Sequence, residues 1–247
     1  MLLLLPPSET KRDGGDGGAL DYGSLSFPRL NAGRRTVVRA VRALAKDPDA
    51  MAAALKLGAR QRDEIDRNRR ITTSPTLPAI DRFIGVLYDA LDAPSLPSAA
   101  RDRAASSVAI ASALFGLVGA LDPIPAYRLS ADSRLPELPL KAHWADRVAR
   151  ELQAVPGLIL DLRSEGYAAL GPAPARPGAV YLRVLGQGPD GAVRALNHFN
   201  KKAKGELARA LLAADALPET VDELLDWAAG AGFRLAPGAQ GELALTV

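Results

Sequence analysis

Four consecutive leucines, Leu2–Leu5, are stopped by Pro6-Pro7 and followed by the polar, glycine-rich run SETKRDGGDGG. With no positive charge before it, this apolar stretch is too short for the roughly 7–15-residue apolar region of a secretory signal. The pattern predicts a short buried strand whose exit loop opens at its carboxyl end, where open α/β sheets place binding groups. Farther along, RRTVVRAVRALAK reads as an amphipathic helix. Val37, Val38, Val41 and Leu44 form its apolar stripe, while Arg35, Arg39, Arg42 and Lys46 recur at 4-3-4 spacing on another face. RQRDEIDRNRR predicts a second, charged helix, ended by Thr72-Thr73-Ser74-Pro75. Helical periodicity resumes over LPAIDRFIGVLYDAL and over SAARDRAASSVAIASALFG, the latter with Ser98 as N-cap and Gly116 as stop. KAHWADRVARELQAV is a further helix.

The pattern then changes. GLILDL (157–162) and AVYLRVLG (179–186) are rich in apolar and β-branched residues and read as strands. AVRALNHF (192–199), arriving after GQGPDG, predicts a β-hairpin with the strand before it. KKAKGELARALLAADAL and PETVDELLDWAAG are helical, and GELALTV makes a closing strand. The first strand must find partners contributed mainly by the second half. The expectation is therefore an α+β fold: one mixed sheet with helices packed around it, a helix-rich first half, and residues 1–247 as a single domain.

Composition narrows the function classes. A hydrophobic content of 48% over 247 residues supports a proper core. No stretch approaches the roughly 18 apolar residues of a membrane span. Without cysteine there is no disulfide, thiolate metal site or thiol nucleophile, and a cytoplasmic location is the natural expectation. The net charge of +3 is unevenly spread: residues 29–70 hold twelve Lys/Arg against five Asp/Glu, and residues 215–226 hold five acids and no base. Such asymmetry points to a side that faces a polyanion, or to solvated helix faces.

Several stretches carry candidate chemistry. Ser8-Glu9-Thr10-Lys11 has the Ser-x-x-Lys spacing of penicillin-recognising enzymes, but no partner motif accompanies it. The glycine-rich loop is no P-loop, although its backbone N–H groups with Lys11 could cradle a phosphate. In HFNKKAKGELAR, three of the seven lysines, Lys201, Lys202 and Lys204, fall where a strand hands over to a helix, a setting that favours anions. His198 lies just before them, placed to donate a hydrogen bond or transfer a proton. The two histidines, His143 and His198, show no paired-ligand spacing, so no metal or cofactor is implied, and His143 beside Trp144 reads as a packed core residue. IASALFGLVGALDPIPAYRL partly fits the apolar-x-Gly turn of helix–hairpin–helix modules, in which Gly116 would offer its N–H to a DNA phosphate.

Taken in order, these stretches resemble the YaaA family of peroxide-stress resistance proteins. LLLLPPSETK and Leu20-Asp21-Tyr22 are similar to its N-terminal motifs, Phe83, Gly85, Tyr88 and Leu91 match its Phe-x-Gly-x-x-Tyr-x-x-Leu pattern, and Gly116, Asp122, Tyr127 and Arg128 match its next segment. His143-Trp144, then Leu162, Ser164 and Tyr167, then KKAKG and GELAL continue the series. Ala113 stands in place of the hairpin's small glycine, Gly166 in place of a glutamate, and RDGGDGGA is inserted before Leu20, which marks a divergent branch. The resemblance implies a single-domain mixed α/β fold. It also implies a cytoplasmic protein that limits iron-driven oxidative damage and binds DNA without sequence preference through a basic cleft with a helix–hairpin–helix-like element.

Two readings follow. In the first, Lys11, Arg35, Arg39, Arg42, Gly116, Arg128, Lys201, Lys202 and Lys204 hold DNA phosphates. In the second, the protein is an enzyme for a small phosphorylated or nucleotide-like ligand, with catalytic candidates Lys11, Ser164, Tyr167, His198 and Lys202. Both require distant cationic side chains to converge on one anionic guest.

Overall fold

The computed structural model describes residues 1–58, 61–187, 193–195 and 199–247. Its strands are β1 (Leu2–Leu5), β2 (Thr76–Pro78), β3 (Val108–Ser112), β4 (Gly116–Gly119), β5 (Pro123–Pro125), β6 (Ile159–Asp161), β7 (Ala179–Gln187), β8 (Val193–Ala195), β9 (Arg234–Pro237) and β10 (Glu242–Thr246). The helices are α1 (Asn31–Leu44), α2 (Pro48–Leu55), α3 (Asp63–Arg69), α4 (Ala79–Arg82), α5 (Val86–Leu91), α6 (Ser98–Ser107), α7 (Leu140–Gln153), α8 (Glu165–Ala168), α9 (Phe199–Ala213) and α10 (Val221–Gly230).

β1 is an inner strand, parallel to β3 on one side and β6 on the other, with Leu3 opposite Val108 and Leu4 opposite Asp161. All four of its leucines are buried. A parallel strand covered on both faces has no solvent side, so it takes a continuous apolar run in place of alternation. The main sheet runs β4-β3-β1-β6-β7-β10-β9, with β8 paired to β7. Its middle is parallel; β4, β8 and β9 join antiparallel, so the sheet is mixed. The β7–β8 pairing is the hairpin that the sequence predicts. β2 and β5 form a separate two-stranded ribbon. One continuous cluster of buried apolar residues extends from Leu2 to Leu245, and the fold is α+β with helices around the sheet.

Two helix predictions fail in instructive ways. LPAIDRFIGVLYDAL splits into α4 and α5 because Phe83, between them, is extended and bridges to Lys11. Arg12 N donates to Arg82 O and Ile84 N to Thr10 O, so the backbone of this break serves the loop after β1. In SAARDRAASSVAIASALFG the helix ends at Ser107 and Val108–Ser112 enters the sheet as β3; Pro97, without a side-chain cap bond, precedes it. Val108 and Ile110 lie in register with Leu3 and Leu5, and this pairing outweighs local helical periodicity.

The helix–hairpin–helix-like reading is corrected by the same observation, since β3 and β4 form an antiparallel β-hairpin with every residue from Val108 to Ala120 buried. Its turn is internally committed. Ser112 Oγ accepts from Leu114 N and Phe115 N, Trp144 Nε1 donates to Ala113 O, and Arg34 Nε donates to Phe115 O. Gly116 has φ +75°, and a Cβ there would lie 2.9 Å from the Trp144 ring. Gly116 is needed for close packing, and it has no face for a phosphate.

Candidate functional site

The amphipathic pattern of α1 sorts its arginines by depth. Val37, Val38 and Val41 are buried, while Arg35, Arg39, Arg42 and Lys46 are exposed. Arg34 falls on the inner side and is fully enclosed. Besides Phe115 O, it donates to Asn31 Oδ1 at 2.7 Å and to Ser26 O at 2.7 Å. Burial lowers its pKa to about 10, against the pull of Asp122 and Glu151, so it stays charged at neutral pH. This buried anchor fixes α1 against the β3–β4 hairpin and turns the other cations outward.

Those cations line a trough of about 620 Å³ between α1 and residues 69–72. Tyr22, Arg35, Arg39, Arg42, Lys46 and Arg69 supply its polar wall, and among the described residues no carboxylate lines it. The Arg35 guanidinium lies over the Tyr22 ring at 4.4 Å. Arg69 is committed to Ala45 O and to Asp66. Among the described residues no acid lies within salt-bridge distance of Arg35, Arg39, Arg42 or Lys46. Arg35, Arg39 and Arg42 on α1 and Lys46 just past its end follow at three- and four-residue spacing, and such like charges repel one another. A polyanion relieves that repulsion, and among the described residues Arg69 is the one cation of the wall paired with a carboxylate.

Lys11 and Arg128 come together elsewhere, at the carboxyl ends of the parallel strands. The bridge to Phe83 turns the Lys11 side chain inward, where only 3% of the residue is exposed. Its Nζ donates to Ser8 O (2.9 Å) and Glu9 O (3.1 Å) and lies 4.3 Å from the Tyr127 ring centroid. Burial, then the charge of Arg128, lowers its pKa to about 7; Glu64 and Glu9 oppose this and Arg67 adds to it. Arg128 Nη2 donates to Glu9 Oε2 at 2.5 Å. Tyr127 OH and Ser112 Oγ are 2.7 Å apart, and Tyr88 OH donates to Pro6 O. Burial raises the pKa of Tyr88, Tyr127 and Tyr167, so all three phenols stay neutral.

On α9 the lysines divide. Lys201 and Lys202 are exposed, the latter 3.4 Å from Glu206. Lys204 is buried beside Arg163 O and the Tyr181 ring, and burial lowers its pKa to about 8. α9 packs on α5 and α6, whereas α1 packs on α2 and α3. The cations expected to share one guest are thus spread over three places: the trough, the Lys11–Arg128 cluster and α9. Ser164 is exposed at the start of α8, and His198 lies outside the described residues. His143 accepts the reading of a packed residue, edge-on to Trp144 and 3.2 Å from Gly33 O.

Sequence reasoning missed one feature here, the enclosed pair of Asp161 and Arg163. Arg163 donates Nε to Oδ1 (2.8 Å) and Nη2 to Oδ2 (2.7 Å). Its signal was Asp161 at the end of an otherwise apolar strand, a charge that needs a buried partner. Among the described residues there is no cluster of three metal-ligating side chains and no helix long and apolar enough to cross a membrane.

The model of the family described as peroxide stress protein YaaA matches residues 1–238. A UPF0246 protein of Corynebacterium glutamicum is 44% identical over 238 residues, covering 94% of both chains. One of Streptomyces coelicolor is 42% identical over 243 residues, covering 95% of this chain and 92% of its own. One of Polynucleobacter asymbioticus is 32% identical over 152 residues, 58% of this chain and 59% of its own.

Proposed function

The chain belongs to the YaaA family of peroxide stress proteins, and from that premise we propose that it protects DNA by binding its phosphate backbone, without sequence preference, in the α1 trough. The observation that carries this reading is the wall of Arg35, Arg39, Arg42 and Lys46, four exposed cations on one face with no carboxylate among them. Cations on phosphates supply affinity without reading bases, and they release the counterions condensed on the strand. Ferrous iron is such a counterion. Displacing it from the backbone moves radical formation away from the DNA, which joins the binding to the peroxide response. The α9 lysines play a lesser part, because Lys202 is already paired with Glu206.

Fluorescence anisotropy with a labelled 20-base-pair duplex tests the reading. At low salt the wild type binds two unrelated duplex sequences equally, Arg39→Ala/Arg42→Ala binds at least tenfold more weakly, and Lys201→Ala/Lys202→Ala loses less. No binding by the wild type, or an equal loss from both pairs of substitutions, refutes the trough as the interface.

A further inference from the structure

Arg128 is held in a way the trough does not explain. Asn68, fully buried on α3, donates Nδ2 to Arg128 O (2.7 Å) and accepts from Arg128 N at Oδ1 (2.8 Å). One enclosed amide spent on both backbone groups of a single residue fixes the direction in which that residue's side chain leaves. The guanidinium then meets Glu9 through Nη2 alone; among the described residues Nε and Nη1 donate to nothing. The Arg128 side chain is 13% exposed and that of Glu9 is 61%. The arginine is part of the framework, and its carboxylate partner is applied from the solvent side.

Lys11 is anchored beside the same residue, its Nζ donating to Glu9 O at 3.1 Å, so the Arg128 guanidinium meets one anionic position with the Lys11 amine close by. We propose that this position is a second binding site, for a small molecule bearing a carboxylate or phosphate, and that Glu9 occupies it as an internal stand-in when no ligand is bound. An exposed ion pair is weakly held. A ligand whose two oxygens engage the unused donors of Arg128 side by side gains the stronger bidentate geometry and displaces Glu9 outward. The buried Asn68 clamp and Lys11 stay where they are, so no core rearrangement opposes the exchange.

Isothermal titration calorimetry with inorganic phosphate and with succinate tests this on the full chain, comparing the wild type, Glu9→Gln and Glu9→Gln/Arg128→Gln. Both substitutions leave the Asn68 clamp intact, and circular dichroism checks the fold. Glu9→Gln is expected to bind one probe at least tenfold more tightly than the wild type, and Arg128→Gln in that background to abolish the gain. The probe that shows the gain tells a phosphate site from a carboxylate site. Phosphate held in the α1 trough is indifferent to both changes, so equal affinity across the three proteins overturns the proposal, as does a gain that survives Arg128→Gln. The trough reading is untouched by either result, since it rests on Arg39 and Arg42.

Discussion

Replacing Lys11 by methionine removes one buried titration and makes stability respond differently to pH. The lysine's pKa falls from 10.5 in the unfolded chain to about 7 in the fold. Below pH 7 both states carry the proton, and burial of the charge weakens the fold by its full amount. Between pH 7 and 10.5 the unfolded chain holds a proton that the folded chain does not, so wild-type stability rises with pH by up to about 1.4 kcal/mol per unit. Integrated from pH 7.5 to 9.5 the rise due to this residue is about 2.5 kcal/mol. Lys204, lowered to about 8, acts in the same direction, and the buried tyrosines oppose it only above pH 10. Both contributions are common to wild type and variant and cancel in the difference. Urea unfolding followed by fluorescence of Trp144 and Trp227 at half-unit pH intervals measures it. The stability gap should move in favour of the wild type by about 2.5 kcal/mol across that range. Parallel curves would refute the assignment of Lys11 as a buried, near-neutral amine.

Other substitutions test the frame that holds these groups. Gly205→Val puts a Cβ 2.2 Å from Leu87 O, where α9 crosses α5, and should cost at least 1–3 kcal/mol by urea denaturation; an unchanged midpoint would contradict the close crossing. Asn68→Leu leaves Arg128 N and O without their buried partner, at about 1–3 kcal/mol for each, and should also weaken anion binding in the Glu9→Gln background. Leu4→Ala opens a cavity beneath an inner strand and should lower unfolding stability by about 2–5 kcal/mol.

Sequence patterning made much of this legible. The leucine run announces a short buried strand, which the structure pairs parallel on both sides, and the 4-3-4 arginines announce the face that lines the trough. What it could not separate was Arg34 from Arg35: neighbours in sequence, one is enclosed by carbonyls of the β3–β4 hairpin and the other is in solvent. Only tertiary contacts decide that. β3 was read as helix for a related reason, because Val108–Ser112 gains its strand partner from more than a hundred residues away. The motif Lys201–Gly205 looked like one basic unit, yet two lysines face water, one is buried, and the glycine serves helix packing. Arg128 gave no local sign that Asn68 would hold it, since the clamp joins residues sixty positions apart.

The salt dependence of DNA affinity probes the central claim most directly. With Arg35, Arg39, Arg42 and Lys46 on phosphates, log Kd against log salt should change with a slope of about 3.6, and removing Arg39 and Arg42 should halve it to about 1.8. A slope that stays the same after both arginines are gone would place the contacts elsewhere and contradict the account.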